Sequence, residues 1–432
     1  MKIIHTSDWH IGQIFNEYER TEEHLAFFRT LAGITAREKP DALLVSGDIF
    51  HNPLPSAQSQ KMYADAILGL KEASPGTTVV ITAGNHDSGS RLEVFKELWD
   101  MAGVKVVGCL SRKAGRISWK DHVIRVPHAS SLEKTAGYIV ALPHIYRQNY
   151  PVSGETCENV DSGYARQEAF YRKMLDTVME ENTEGLPVVL MAHLAVAGST
   201  GGGQEDFVGG QQDSVGGLDY TPCSIFPDGF AYLALGHIHH PQTVGRKGKD
   251  DGMGKRIFTK GKPVARYCGS PVPLSFDEDY GHSISVVEME EDGKVTVRED
   301  PVPCMIPVLT IPENPVPFSD ALEALESFPD DRQAYIRLNV LIDDFLPQNA
   351  TMLAMKAAEG KACRYCSMKV TRVQERGTEK SWDLTAEEIK ASGPLDVARL
   401  YFRNRYGKEL DSGMADMLSE VIGEVQRNMK ED

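Results

Sequence analysis

Five short stretches of this 432-residue chain place histidine, aspartate or asparagine directly after an apolar run. Imidazole and carboxylate groups without thiolate suit manganese, iron or zinc better than calcium or a soft metal. The candidate ligands are Asp8, His10, Asp48, Asn85, His193, His237 and His239. One ion would not use all of these side chains, whereas two ions that share Asp48 as a bridge would. The pattern therefore predicts a binuclear site for divalent metal ions.

The spacing of two ligand pairs leads to a geometric expectation. Asp8 and His10, like His237 and His239, are two residues apart. Residues i and i+2 of an extended strand point to the same side, so each pair could face one ion. A lone aspartate is usually a turn former, and a lone histidine is usually a core or surface residue. The prediction therefore depends on all five stretches together.

The apolar runs that precede these residues indicate buried strands. The predicted strands cover residues 2–7, 42–47, 78–82, 187–192 and 230–235, and the predicted helices cover 22–37, 56–73, 91–101 and 164–181. Strands that alternate with helices predict an α/β layered domain. Ligands of such sheets gather beyond the carboxyl ends of the strands, where Gly47 would allow a tight turn before Asp48.

The character of the chain changes after residue 271. Segments 283–288 and 294–299 predict a hairpin, and a proline-rich stretch follows them. Residues 305–373 then read as strand, helix, strand, helix and strand, which predicts a small α+β unit. We expect domains at 1–303 and 304–376 and a helical tail at 377–432. Seven apolar residues form a stripe on this tail that is either core or a partner-binding face: Met414, Met417, Leu418, Val421, Ile422, Val425 and Met429.

Composition limits the class of protein. Apolar residues make up 41% of the chain and charged residues 25%, which is typical of a globular protein with a sizeable core. The net charge of −16 argues against binding nucleic acid by bulk electrostatics, although bound cations or a local basic patch leave DNA open as a substrate. The basic segment 245–262 is either a solvated hairpin tip or a DNA contact.

The cysteines and the hydropathy pattern predict a cytoplasmic protein. Seven irregularly spaced cysteines do not suggest a disulfide framework. Cys363 and Cys366 form a C-x-x-C pair without a second pair, so they are either a buried structural pair or a metal or redox site. A strand at the start leaves no room for a signal peptide, and no apolar stretch reaches 18 residues. We therefore expect no membrane association.

The ordered motifs D-x-H, G-D, G-N-H-D, H and G-H-x-H resemble the calcineurin-like binuclear metallophosphoesterases, which include phosphatases, cyclic-nucleotide phosphodiesterases and nucleases. The residues around Asp8 and Asp48, together with Val215-Gly216-Gly217-Leu218 and Cys268-Gly269-Ser270-Pro271, are similar to the SbcD family of bacterial nuclease subunits. The resemblance covers nearly the whole chain and departs in loops 149–161, 198–210 and 245–262.

This resemblance implies roles for individual residues. One manganese ion would be held by Asp8, His10, Asp48 and His239, and the other by Asp48, Asn85, His193 and His237. His86 would face the substrate phosphate and stabilise its developing charge or protonate the leaving oxygen; otherwise it supports the ligands. His51 would orient DNA for end processing; otherwise its role is structural.

The resemblance also implies an activity and partners. The chain would be a metal-dependent exonuclease and endonuclease that cleaves the ends and hairpins of double-stranded DNA in repair and recombination. The α+β unit would cap the nuclease, and the tail would dock on an SbcC-type ATPase, with a homodimer inside a heterotetramer. The chain has no G-x-x-x-x-G-K-[ST] motif, so ATP hydrolysis would belong to the partner.

Two rival functions stay open. The ligand set also fits a phosphoesterase for small substrates such as cyclic nucleotides or phosphoproteins, although such an enzyme has no evident need for a cap and a tail. A non-catalytic scaffold on a decayed fold is the other rival. Decay should have removed ligands, and the set is complete.

Overall fold

The computed structural model describes residues 1–151, 163–200, 220–343, 345–372, 393–406, 410–411, 413–415, 417–419 and 422. The chain divides into two compact units, Met1–Thr371 and Arg372–Asp432. Among the helices that are described, none has both the length and the apolar character needed to cross a membrane.

The described helices are α1 (Thr21–Glu38), α2 (Ala57–Ala73), α3 (Gly89–Leu92), α4 (Lys96–Met101), α5 (Gly163–Met179), α6 (Phe318–Glu326), α7 (Ala350–Ala358) and α8 (Pro394–Tyr406). The described strands are β1 (Lys2–Thr6), β2 (Ile14–Phe15), β3 (Tyr18–Glu19), β4 (Ala42–Ser46), β5 (Thr78–Thr82), β6 (Val104–Val107), β7 (Arg112–Lys113), β8 (Arg116–Ile117), β9 (Val123–His128), β10 (Ser131–Ala141), β11 (Val188–His193), β12 (Tyr232–Gly236), β13 (Gln242–Val244), β14 (Lys249–Asp250), β15 (Lys255–Phe258), β16 (Val264–Tyr267), β17 (Ser283–Met289), β18 (Val295–Pro301), β19 (Val308–Pro317), β20 (Tyr335–Ile342) and β21 (Arg364–Arg372).

Two sheets form the body of the first unit. One has the strand order β14-β15-β18-β17-β1-β4-β5-β6, and the other has the order β13-β16-β12-β11-β10-β9. Each has a parallel centre, β1-β4-β5-β6 in the first and β10-β11-β12-β16 in the second. The central strands β4, β5, β11 and β12 are buried along their whole length, as their continuous apolar runs predict.

Three hydrophobic cores define four layers. Phe27, Leu31 and Ile34 recur on one face of α1 and pack with α2 against the first sheet. The second core lies between α5 and the second sheet. Leu44 of β4 and Val189 of β11 belong to the third core, which lies between the two sheets. The order helix, sheet, sheet, helix confirms the predicted α/β layered sandwich.

A smaller α+β unit, residues 308–372, follows the sandwich. Its sheet has the order β19-β20-β21, and α6 and α7 pack on it around a core that includes Leu325 and Ile336. The elements follow the predicted order from strand to strand. Cys363 is buried in this core, which favours the structural alternative for the C-x-x-C pair.

One predicted helix is wrong, and several strands were not predicted. Residues 91–101 do not form one helix, because α3 ends at Leu92 and α4 begins at Lys96. Between them Glu93 accepts hydrogen bonds from the backbone of Gly108 at 2.8 Å and of Cys109 at 3.0 Å, a tertiary contact that favours a break. The strands β6, β9, β10, β13 and β16, which extend the two sheets, lie in segments for which no strand was predicted.

The remaining predictions fall partly outside the described residues. Segment 245–262 contributes β14 and β15 to the edge of the first sheet, as a hairpin. Most of loop 149–161, residues 201–219 with Val215-Gly216-Gly217-Leu218, and Val421, Val425 and Met429 of the apolar stripe lie outside. Within the stripe, Met414 and Met417 are exposed.

Candidate metal centre

All seven predicted ligand residues meet at one edge of the sandwich. They lie at or just beyond the carboxyl ends of β1, β4 and β5 of the first sheet and of β11 and β12 of the second. Backbone hydrogen bonds join the first two ligand loops, from Asp8 N to Gly47 O and from His10 N to Asp48 O, each at 3.0 Å. The parallel strands therefore bring together side chains that are up to 231 residues apart in sequence.

The first group contains Asp8, His10 and His239, whose ligand atoms all lie within 4.8 Å of one another. Asp48 Oδ2 lies 3.6 Å from His10 Nε2. That nitrogen is buried and has no hydrogen-bond partner among the described residues. An unsatisfied buried nitrogen among carboxylates suits a metal ligand, since burying a polar atom without a partner is costly.

The second group is built around His193. Its Nδ1 donates to Ser46 O at 2.8 Å, so in the neutral ring the lone pair of Nε2 is directed at other acceptors. This Nε2 lies 3.0 Å from Asn85 Oδ1 and 3.3 Å from Asp48 Oδ2. His237 Nδ1 lies 3.0 Å from the same oxygen of Asn85. Because the neutral His193 ring has a lone pair on Nε2, its approach to these two oxygens requires a cation between them, which is either a proton or a metal ion.

The distances within the two groups fit shared coordination. Two ligand atoms that coordinate the same ion, each at about 2.1 Å from it, lie about 3.0–3.4 Å from one another. Asp48 Oδ2 faces a nitrogen of each group, which is where a bridging carboxylate would lie. Asp8 is close to members of both groups as well, since it also lies within 4.8 Å of Asp48 and His193. The residues present therefore fit a pair of divalent ions.

The electrostatics of the centre follow from burial and from close opposite charges. Burial alone would raise the pKa of Asp48, but the histidines around it, His193 first, hold that pKa well below its usual range. Burial would likewise lower the pKa of His193, but the Asp48 carboxylate raises it to about 9. Burial, and then the charge of His193, lowers the pKa of His237 to about 3. Positive charge is therefore favoured beside Asp48 Oδ2.

The ligand loops leave the strands through left-handed backbone conformations. The φ angles are 53° at Asp8, 46° at His10, 51° at Asp48 and 100° at His237. Because the chain is not extended there, the i, i+2 expectation does not describe the H-x-H pair. His239 lies with Asp8 and His10, whereas His237 contacts Asn85.

Two glycines allow the loops to approach one another. A Cβ at Gly84 would collide with the Asp48 carboxylate and backbone nitrogen, and a Cβ at Gly47 would collide with the His193 ring. These residues therefore have to be glycines for the ligands to lie at the observed distances.

His86 and His51 border the first group. The backbone nitrogen of His86 donates to Asp48 Oδ1 at 2.9 Å, and its ring Nδ1 donates to the carbonyl oxygen of His51 at 3.1 Å. The two rings stack with centroids 5.8 Å apart. His51 Nδ1 lies 3.4 Å from His10 Nδ1. Both histidines are partly exposed, so a substrate can reach them.

Two carboxylates that support the centre were missed in the sequence. Asp87 accepts hydrogen bonds from the backbone of Ile49 at 3.0 Å, Phe50 at 2.9 Å and Gly84 at 2.8 Å, and so it holds two ligand loops together. It lies in the G-N-H-D motif, so its position in that motif was the available signal. Glu278 lies 3.3 Å from the His239 ring and had no such signal, because nothing in its local sequence distinguishes it.

Comparison with known proteins gives one consistent result. Residues 1–241 match the family model described as calcineurin-like phosphoesterase. The chain is 32% identical over 382 residues to the SbcD subunit of the SbcCD nuclease from Rhodobacter capsulatus, an alignment that covers 86% of this chain and 88% of that protein. It is 26% identical over 444 residues to the SbcD subunit of Escherichia coli K12, covering 98% and 97% of the two chains. It is 28% identical over 301 residues to that of Bacillus subtilis, covering 69% of each.

The family model spans the five strand ends that carry the ligands, and the relatives extend the similarity over the α+β unit. Family membership implies that the centre binds divalent metal ions. The chain belongs to the calcineurin-like phosphoesterases and, within them, to the SbcD family of nuclease subunits.

Proposed function

We propose that this chain hydrolyses phosphodiester bonds at the ends and hairpins of double-stranded DNA, as the nuclease subunit of an SbcCD-type complex in repair and recombination. The observation that carries this proposal is the pair of ligand groups on either side of Asp48 Oδ2, with His86 hydrogen-bonded to the same carboxylate. The relatives that share nearly the whole chain are named as nuclease subunits.

The metals of the proposed enzyme are two Mn²⁺ ions. Asp8, His10, Asp48 and His239 would hold one, and Asp48, Asn85, His193 and His237 the other. When bound, the pair supplies Lewis-acid activation of water and neutralises negative charge on the phosphate. Nitrogen and oxygen donors without thiolate support this choice of metal.

His86 is the residue best placed to act on the leaving oxygen. Its Nδ1–H donates to the His51 carbonyl, so Nε2 is the ring atom left for the substrate. Its backbone bond to Asp48 fixes the ring relative to the metal ligands. With both ring nitrogens protonated, it would donate a hydrogen bond or a proton from Nε2 as negative charge develops. His51 stacks on it and would guide the DNA end.

The α+β unit favours the proposal of a polymeric substrate over that of a small one, because this unit is fixed to the nuclease domain. The Tyr335 hydroxyl donates to Glu23 Oε2 at 2.8 Å, and Arg364 Nη1 donates to that hydroxyl at 2.8 Å. The guanidinium of Arg20 lies 5.6 Å from the Tyr335 ring centroid. A cap fixed by buried aromatic and charged side chains can restrict which DNA reaches the metals, which a small substrate would not require.

The partners of the proposed complex are an SbcC-type ATPase and a second copy of the chain. The helical tail is the docking segment proposed for the ATPase. The homodimer is supported by an apolar surface on α2, on α4 and on the turn before it. Leu68 is 49% exposed, Phe95 60%, Leu98 64% and Met101 86%. Neighbouring residues Tyr63 and Trp99 join the two helices, with ring centroids 6.0 Å apart. In a symmetric dimer, this apolar surface of one copy would be buried against the same surface of the other copy.

The test is cleavage of linear and hairpin double-stranded DNA by the full chain, with and without the ATPase. Mn²⁺ and Mg²⁺ are compared, and cyclic nucleotides and a phosphopeptide are assayed in parallel. We expect manganese-dependent DNA cleavage that Asp48→Ala abolishes. Efficient turnover of the small substrates with inert DNA would instead support the rival enzyme, and inactivity on all of them with bound metal would support the scaffold.

A further inference from the structure

Glu278 is a buried carboxylate outside the seven predicted ligands. Its side chain is fully shielded from solvent, and Oε1 lies 3.3 Å from Nδ1 of His239. Its second oxygen accepts hydrogen bonds from the backbone of Leu274 at 3.0 Å and from the hydroxyl of Ser270 at 3.3 Å. A buried carboxylate is stable only with such partners, so its orientation is fixed.

This contact has a consequence for the metal ligand. When Nδ1–H of a histidine donates to a carboxylate, the tautomer is fixed and Nε2 keeps its lone pair for a metal. His239 is the member of the first group that comes from β12 and lies with Asp8 and His10. The Glu278 contact therefore determines which ring nitrogen His239 presents to that group.

The loop that carries Glu278, residues 273–280, also contacts the α+β unit. Arg337 of β20 donates from Nη2 to Asp277 Oδ1 at 2.7 Å and to Phe276 O at 3.4 Å. Its guanidinium lies 5.0 Å from the centroid of the Phe276 ring, and its Nε donates to Thr310 at 3.1 Å. Arg337 is 8% exposed, whereas Asp277, with which it pairs, is an exposed residue.

The other end of the loop is held by the nuclease. The carbonyl oxygen of Leu274 accepts from Gln13 at 3.2 Å, and that of Pro273 accepts from Arg20. Glu278, whose carboxylate contacts His239, is therefore the next residue in sequence after Asp277, which pairs with Arg337 of the α+β unit.

We propose that Glu278 is a positioning residue for His239, and that the α+β unit holds it in place through Arg337, so that docking of this unit and metal affinity at the first group are coupled. The inference rests on the binuclear centre of the proposed function. In this proposal the α+β unit has a second role besides restricting which DNA enters. Its contact with Asp277 holds Glu278 in place, and Glu278 orients the candidate metal ligand His239.

The experiment is a calorimetric Mn²⁺ titration of the full chain, with electron paramagnetic resonance of the loaded protein. The resonance spectrum separates a coupled ion pair from a single ion. For Glu278→Ala we expect one of the two ions, the one held by the first group, to lose about 10–100-fold in affinity, and the spectrum to change from a pair to an isolated ion. Glu278→Gln keeps an oxygen acceptor and should restore most of the affinity. Asp279→Ala, at the exposed neighbouring residue, is the matched control and should leave both readouts unchanged.

The coupling is tested at the other end of the contact. Arg337→Met and Asp277→Ala each remove the ion pair, and each should weaken the same Mn²⁺ ion by about 2–30-fold. Asp277 is exposed, so we expect Asp277→Ala to keep the fold even if Arg337→Met unfolds the protein. Circular dichroism of the metal-free chains checks this.

The outcomes separate this inference from the proposed function. A wild-type chain that does not bind two Mn²⁺ ions would contradict the proposed function itself. If the wild type binds two ions, unchanged affinity in Glu278→Ala overturns the positioning role. Unchanged affinity in both Asp277→Ala and Arg337→Met overturns the role of the α+β unit.

Discussion

Oδ2 of Asp48 lies 3.3 Å from Nε2 of His193, and both side chains are buried. The same oxygen also faces the first ligand group, so removing it should affect both metal positions. We predict that Asp48→Ala loses both ions, because each position then keeps an incomplete shell. Elemental analysis after gel filtration measures this. Asp65→Ala, at an exposed carboxylate of α2, is the control and should keep two ions. Two ions retained by Asp48→Ala would contradict the bridging assignment.

His86 allows the chemical step to be separated from metal binding. We predict that His86→Gln keeps both ions but slows phosphodiester cleavage by about 10²–10⁴-fold, the usual effect of losing an acid or a charge stabiliser. Single-turnover cleavage rates and metal content are measured on the same preparation. Near-normal cleavage rates would show that His86 is not needed for the chemical step and only supports the ligands through its hydrogen bond to Asp48.

His51 is expected to act on substrate orientation. Its ring stacks on that of His86 at the border of the first group. We predict that His51→Ala slows exonucleolytic cleavage of linear ends more than cleavage of hairpin or single-stranded DNA. Rates on the three substrates, each normalised to the wild type, give the comparison. Equal losses on all three would refute an orienting role.

Glu38 gives a stability prediction with a defined pH window. It ends α1 and contacts Lys2 Nζ at 2.5 Å and Arg298 Nη2 at 2.6 Å, so it joins the helix to β1 and β18. Burial opposes its charge, but the hydrogen bonds from Lys2, Arg37 and Arg298 lower its pKa to about 2. A lowered folded pKa gives stability that is present above the ordinary value and is lost as the pH falls toward the folded value.

We therefore predict that Glu38→Gln lowers the free energy of unfolding by about 1–3 kcal/mol at pH 7. The difference from the wild type should shrink below about pH 4.5 and vanish near pH 2. Urea unfolding of both chains across this range measures it. Asp65→Asn, at an exposed pair, should change stability by less than about 1 kcal/mol at every pH. A difference that does not depend on pH would show that Glu38 acts by packing alone.

The apolar stripe on the helical tail is the segment that we expect to bind the ATPase. We expect a chain that ends at Arg376 to fold, bind manganese and cut DNA slowly without responding to ATP through an SbcC-type ATPase. Leu418→Glu with Ile422→Glu places two charges in the stripe and should abolish the complex while sparing basal cleavage. Co-purification and nuclease rates are measured. Unfolding of the double variant would identify the stripe as core, and normal ATPase binding would place docking elsewhere.

The parts of the fold that could be predicted from sequence are those with a strong local signal. The buried strand Thr78–Thr82 was predicted with the observed bounds, because parallel central strands are continuous apolar runs. The break before Lys96 could not be predicted, because it depends on the contact from Glu93 to a segment 15 residues away. The edge strand β9 and the first half of its neighbour β10 are partly exposed and lack a uniform apolar pattern.

The same distinction applies to the site. The seven candidate ligands were predicted because metal-binding residue types recur after predicted strands, and the structure brings their side chains together. Their division between two groups follows from left-handed turns that strand periodicity does not describe. Glu278 was missed because its contact with His239 spans 39 residues and arises from how a later loop folds back.

The left-handed turns at Asp8, His10 and Asp48 restrict which other metals this fold could be adapted to bind. Such a conformation costs most residues about 1–2 kcal/mol, whereas Asn, Asp and His adopt it several-fold more readily. The side chains that supply oxygen and nitrogen ligands are thus also the ones that the backbone tolerates there. A cysteine placed at Asp48 to recruit a softer metal would carry a backbone penalty even if its sulfur bound the ion well. At these positions the metal preference of the enzyme is therefore limited by the turns of its chain as well as by ligand chemistry.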